Sequence, residues 1–188
     1  MTTPSNQPPA QKHPECSCYA CVSACKITPG WFAPEQLKTS SAALGMTEQE
    51  FFNNYCMVDY WVGHMSEDPA NNNNRVYIIA AALTGYAGKL APLHKIGICS
   101  CLRAADSKCS IHACKPTECA ESIHTDSIEV ASARHDRIKD AWNNPDAQDL
   151  IRALVAPALL PLLSLPDIEF IQHIRASDRI LERLMEIL

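Results

Sequence analysis

Apolar and polar positions along this chain recur in several different rhythms, and each rhythm predicts an element. From Pro34 a helical spacing runs to about Leu44, where Gly45 supplies the residue that closes a helix C-terminus most easily. A second helix follows at once in "TEQEFFNNYC". Thr47 and Glu50 stand in capping-box spacing, so the threonine accepts a bond from the amide three residues on while the glutamate reaches back. Phe51, Phe52, Tyr55 and Cys56 make up its apolar face. "MSEDPANNNNR" reads as a loop, because its asparagine run offers nothing to a core. "VYIIAAAL" is strand-like at its start and helix-like at its alanines, and periodicity leaves both open. "GYAGKL" lacks the spacing of a phosphate-binding loop and reads as a turn.

Farther on, Lys95 to His112 predicts a hairpin: "KIGICSCLR", a polar turn "AADSK", then "CSIH". Alternate side chains of a strand share a face, so Cys99 and Cys101 point one way while Ile96, Ile98 and Leu102 point the other. After Asp126 the chain turns helical in three stretches, "DSIEVASARHDRIKDAW", "PDAQDLIRALV" and "PDIEFIQHIRASDRILERLMEIL", separated by prolines suited to first helical turns. In the last, Ile168, Ile171, Ile174, Leu181, Leu184 and Leu188 form an apolar stripe that needs a partner surface. The chain's own domain is the first candidate for that surface, and a homodimer through the C-terminal helix is the second.

Composition narrows the class. A chain of 188 residues buries roughly 70% of its unfolded surface on folding, so it needs no covalent staples. A net charge of −5 and the lack of a long Lys/Arg cluster argue against a nucleic-acid partner, since phosphate binding needs a basic face. The N-terminal "MTTPSNQPPAQKHPE" lacks the charged start and apolar stretch of a secretory signal and reads as a flexible proline-rich lead. The longest apolar run, Val76 to Leu83, is far short of the ~20 residues of a membrane span. The expectation is a soluble cytoplasmic protein with no membrane partner.

Ten cysteines change the picture. Four fall in Cys16 to Cys25 and five in Cys99 to Cys119, Cys56 stands alone, and the last 69 residues have none. In a reducing compartment such clusters point first to metal or redox chemistry; in an oxidising one they would point to disulfides. Cys18, Cys21 and Cys25 are spaced i, i+3 and i+7, which an ordinary apolar helix stripe would also show, because free cysteine packs as a small apolar residue. Against that bland reading stand the second cluster and the turn-prone "KITPG" and "CKPTEC" around the thiols. Thiolates at short gaps leave the backbone room to wrap several sulfurs around one ion or cluster.

"CYACVSAC", followed far downstream by "CLRAADSKCSIHACKPTEC", resembles the bacterial CxxCxxCC family of zinc- or iron-chelating proteins, a cysteine-cluster group related to flagellin lysine-N-methylases. Cys101, Cys109, Ile111, Pro116 and Cys119 occupy the places of that family's second motif, and "TEQEFFNNY" is similar to the segment between its cysteine groups. Ala24 stands where the family has another cysteine, His112 where it has tyrosine, and Lys115 where it has arginine. The resemblance spans roughly residues 16 to 122. It implies metal ligation by Cys18, Cys21, Cys25, Cys101, Cys109 and Cys119, with Cys16, Cys56, Cys99, Cys114 and His112 as further candidates. His13 and His124 also lie near cysteines, but a lone histidine is more often a surface or hydrogen-bonded residue.

Uneven spacing in the second cluster suits an iron–sulfur cluster better than structural zinc, whose sites favour paired short knuckles. The expected fold class is therefore mainly α with a small β-hairpin, an irregular cysteine-rich metal-binding core and C-terminal helices. Residues 1–15 form the lead, 16–125 the cysteine-cluster domain and 126–188 a helical region packed on it. The expected function is iron–sulfur binding with a redox or substrate-activating role, as in an oxidoreductase-type protein, toward a protein or small-molecule partner not named by the sequence. A zinc-stabilised interaction module and a protein-modifying enzyme similar to the methylases are the alternatives.

Overall fold

A computed structural model describes residues 19–62, 75–122 and 126–187, with side chains from 22 to 178. The lead, Cys16, Cys18, His13, His124 and most of the asparagine-rich loop lie outside the described residues, as do the side chains of Cys21, Leu181, Leu184 and Leu188. Among the described residues about 52% are α-helical, and the sheet has two antiparallel strands, so the fold is mainly α with a small β-hairpin.

Helix α1 (Tyr19–Ile27) leads to α2 (Gln36–Ala43), which ends where Gly45 takes φ +67, the left-handed conformation that glycine adopts without a Cβ penalty. Helix α3 (Glu48–Tyr55) starts on the expected box. The Glu50 amide donates to Thr47 Oγ1 at 3.2 Å, and the Thr47 amide donates to Glu50 Oε2 at 2.9 Å. Thr47→Ala should therefore cost about 1 kcal/mol, read as a lowered urea midpoint with an unchanged slope. An unshifted midpoint would mean that the box contributes nothing in this context.

The hairpin is not where the sequence places it. Strand β1 (Cys56–Val62) leaves α3 without a loop and pairs with β2 (Arg75–Ala81), Cys56 opposite Ala81 and Val62 opposite Arg75. Cys56 thus opens a strand instead of closing a helix face. Both strands are buried on both faces, so their apolar residues run on instead of alternating, and the period-2 signal is lost. Short stretches extend the sheet on each side. Phe32 N donates to Ile79 O and Ala81 N to Gly30 O beside β2, while Val58 N donates to Lys89 O and Ala91 N to Val58 O beside β1. Residues 95–112, expected as the hairpin, carry only isolated bridges, Leu83 to Cys99 and Leu102 to Cys109. "GYAGKL" is a turn as read, with Gly85 and Gly88 at positive φ.

A single-turn α4 (Thr117–Glu121) follows, then α5 (Ile128–Trp142), α6 (Pro145–Leu154), α7 (Leu160–Leu163) and α8 (Asp167–Ile187). Ser127 caps α5, and Asn144 caps α6 with Pro145 in its first turn. The helices share one core with the sheet: Ile138, Trp142, Ile151 and Phe170 are buried in the same cluster as Phe32, Phe51, Ile78 and Ile79. On α8 the inward face is Asp167, Phe170 and Ile174, and Ile168, expected to lead the stripe, is exposed. Arg75 sets that face. It pairs with Asp167 at 2.9 Å, lies 3.9 Å over the Phe170 ring and donates to Leu165 O at 2.6 Å. Among the described residues no helix is long and apolar enough to cross a membrane.

Candidate metal centre

Three long-range docking steps bring cysteines from separate segments together. The last carbonyls of a helix have no partner within it. In α1 two of these are taken up by the chain beyond β2, since Cys99 N donates to Cys25 O at 2.8 Å and Gly97 N to Ile27 O at 2.9 Å. That segment is itself fixed to the sheet, by Ser100 N donating to Ala82 O and Thr84 N to Ile98 O, both at 2.8 Å. Closing the helix end and presenting Cys99 to Cys25 are thus one event. Cys21 lies on α1 four positions, about one turn, before Cys25.

The second step is a tight loop. Arg103 binds Asp106 through two guanidinium nitrogens, Ser107 takes the positive φ of 56, and Arg103 N donates to Lys108 O. Ser110 N then donates to Cys101 O at 2.7 Å, which sets Cys109 next to Cys101. The third step fastens residues 114–119 to α2 and the stretch before it. Ser40 donates to Cys114 O, Gln36 Nε2 to Lys115 O at 2.6 Å, and Glu118 N to Trp31 O, while Trp31 N donates back to Glu118 Oε2 at 2.9 Å. Pro116, whose carbonyl accepts from Ala120 N, begins α4 and so delivers Cys119. Gly30 receives it. A Cβ on Gly30 would lie 2.4 Å from Cys119 Sγ and 3.2 Å from Cys119 N.

The thiols interact. Cys99 acts electrostatically on Cys25, Cys109 and Cys119, Cys25 acts on Cys109 and Cys119, and both Cys99 and Cys109 act on Cys101. The Cys101 thiol donates to the Cys99 sulfur; together with the amides of Cys101 and Leu102 it holds Cys99 below the usual thiol range, against the effect of burial. Cys101, as donor, is pushed far up. Burial raises Cys109 to about 11, opposed by the Ile111 amide, and raises Cys25 and Cys119, the latter opposed by the Gly30 amide. Lys115 draws Cys25 and Cys109 toward the thiolate. Backbone amides aimed at sulfur are the interactions that stabilise thiolate ligands and tune a cluster's potential.

Of the sequence-predicted ligands, Cys25, Cys101, Cys109 and Cys119 are each close enough to Cys99, ranked among the further candidates, to be acted on by it. Cys56 and Cys114 are buried and raised by burial, with Cys56 acted on by Cys114 and Cys99. His112 opens a single 3-10 turn, His112–Cys114, and is half-buried. Cys99 and Cys101 do share a side as expected, although a turn and not a strand puts them there. Sequence reasoning passed over Gly30, Trp31 and Glu118. Their only signal was the turn dipeptide Pro29-Gly30 beside the first cluster.

Among the described residues, no three His, Cys, Asp or Glu side chains form a group that could hold a metal ion. The thiols come from separate segments, and backbone N–H groups are aimed at Cys99, Cys109 and Cys119. No protein-family model, curated protein or solved structure matches this chain.

Proposed function

We propose that the protein binds an iron–sulfur cluster and serves in electron transfer, with Cys25, Cys99, Cys109 and Cys119 as ligands. The observation that carries this reading is the backbone docking that brings the cysteine segments together, with Cys99 N donating to Cys25 O at 2.8 Å, Ser110 N to Cys101 O at 2.7 Å, and Gly30 leaving room for Cys119 Sγ. Four thiolates complete the usual ligand set of a cluster, and a fully ligated cluster exchanges electrons instead of presenting an open iron. Cys101 is a donor to Cys99 in this assignment, and Cys21 lies one turn from the site as a reserve thiol. Ligation needs thiolates. Since burial holds Cys25, Cys109 and Cys119 protonated, loading releases protons and is favoured as pH rises.

Iron, zinc and acid-labile sulfide are to be measured on anaerobically purified protein, together with its visible absorption. The expected result is iron and sulfide in equal amounts with a broad visible band. Cys99→Ser should remove most of the iron, and Cys101→Ser should keep most of it. Zinc without sulfide or colour would replace this reading by that of a zinc-stabilised interaction module. No metal of either kind would leave the thiols as core residues.

A further inference from the structure

Backbone bonds hold Cys25 and Cys99 side by side, each in a fixed segment. Cys99 N donates to Cys25 O at 2.8 Å and Gly97 N to Ile27 O at 2.9 Å, so the end of α1 lies against residues 97–99. Ser100 N, donating to Ala82 O at 2.8 Å, anchors the second segment to the chain after β2. An amide-to-carbonyl bond of 2.8 Å limits the separation of the two Cα atoms to about 6.7 Å, given the fixed spans from Cα to its own N and O. Disulfides form at Cα separations of about 4.4–6.8 Å. Cys99 also acts electrostatically on Cys25, and both are free thiols.

The neighbouring thiols are held elsewhere. Cys101 donates to the Cys99 sulfur, but a bridge between those two would close a ring around Ser100 alone, in a turn already tightened by Leu102 N donating to Cys99 O at 3.0 Å. So small a ring strains the dihedral that a disulfide prefers. Cys109 is held to residues 101–102 by the Ser110 bond and the bridge to Leu102, and the Cys119 sulfur lies against Gly30. A Cys25–Cys99 bridge closes a loop that takes in α2, α3, β1 and β2, and needs no movement of either backbone segment. Access differs between the two. Cys25 is half-exposed between the exposed Ala24 and Lys26, whereas Cys99 is 7% exposed. A small reagent therefore meets Cys25 first.

We propose that Cys25 and Cys99 are a site of reversible covalent modification: by exchange with a small disulfide such as glutathione disulfide they form a bridge that ties the end of α1 to residues 97–99. In the first step the Cys25 thiolate attacks one sulfur of glutathione disulfide, the glutathione S–S bond breaks, and one glutathione thiolate leaves. In the second the Cys99 thiolate attacks the Cys25 sulfur of the mixed disulfide, and the second glutathione thiolate leaves. The two cysteine thiols are oxidised and one glutathione disulfide is reduced; the two protons lost by the cysteines are taken up by the two glutathione thiolates. This exchange stands apart from the iron–sulfur reading, because it takes place in the metal-free chain.

The full chain, treated with EDTA, reduced and desalted, is to be equilibrated anaerobically with glutathione disulfide. Its remaining thiols are then alkylated and its peptides mapped by mass spectrometry without reduction. The expected product is a peptide pair linked from Cys25 to Cys99, lighter by two hydrogen atoms and separated by dithiothreitol. Because the bridge closes a long loop in its native geometry, the oxidised protein should melt about 5–10 °C above the reduced one. In Cys99→Ser, glutathione should remain on Cys25, since the thiol that displaces it is gone. A link from Cys25 to Cys21, Cys109 or Cys119, a link from Cys99 to Cys101, or full alkylation of both thiols at every concentration of glutathione disulfide would overturn the inference. So would a bridged form that melts below the reduced one, which would show that the native fold does not hold the pair at bonding distance. Where Cys99→Ser does not fold, the wild-type map and melting temperature decide.

Discussion

Replacing Trp142 by alanine should cost about 3–5 kcal/mol of folding stability. Trp142 ends α5 and is fully buried beside Ile138 and Phe32, so truncation opens a cavity where the helical region meets the sheet. Its indole nitrogen also donates to Phe32 O at 2.7 Å, one residue from Trp31 and two from Gly30. Alanine leaves that carbonyl without this donor in a dry environment, which adds to the cavity cost. Trp142→Phe separates the two effects, since it retains most of the volume and loses only the bond; about 1–3 kcal/mol is expected. Urea unfolding followed by far-UV circular dichroism measures both. A loss below about 1 kcal/mol in the alanine variant would mean that α5 does not share the core.

Gly30→Ala should damage the cysteine site as well as the fold. Gly30 does not have positive φ, so its backbone tolerates a side chain; what forbids one is space. The new methyl group would meet Cys119 Sγ at 2.4 Å, and behind it Cys119 N at 3.2 Å and Glu118 Cβ at 3.4 Å, so α4 itself has to move. Moving α4 strains the paired bonds between Trp31 and Glu118 and the bond from Ala33 N to Thr117 Oγ1. Overpacking of this kind costs about 1–3 kcal/mol. The iron retained after anaerobic dialysis should drop with it. Gly45→Ala is the control: Gly45 has φ +67 and open space around its Cβ position, so it loses about 1–2 kcal/mol through backbone strain alone. It should keep its iron. Equal iron retention in both variants would show that the approach of Cys119 to Gly30 does not govern the site.

Both variants act through Phe32 and its neighbours, because the stretch from Gly30 to Ala33 joins three parts of the molecule. It pairs with β2, accepts the Trp142 indole and holds α4. Trp31 extends the same junction. Its indole nitrogen donates to the buried Asp59 at 2.7 Å, and its ring stacks on His135, which in turn meets Glu118. A disturbance of the helical region therefore reaches the cysteine that α4 carries.

What the sequence determined by itself is local. The α3 capping box, the glycine after α2, the turn at 85–90 and the starts of α5 and α6 each depend on residues within about four positions of one another, so their signals lie in adjacent letters. Crowding of thiols in 99–119 was equally plain. The hairpin was not, because β1 and β2 are buried on both faces and lose the alternation that marks a strand, and because Asp59 interrupts β1 with a charge that the distant Trp31 and Lys95, together with the Tyr60 amide, satisfy. On α8 the expected Ile171 and Ile174 do face the core, but Ile168 does not, because Arg75, far away in sequence, rewards Asp167 and Phe170 over it. Tertiary structure alone decided which cysteines meet. Cys25 reaches Cys99 because the open end of α1 needs donors that residues 97–99 possess, and Cys119 reaches them because Gly30 leaves room for its sulfur. Those are backbone bonds and steric gaps between distant segments, and no spacing of cysteines along the chain encodes them.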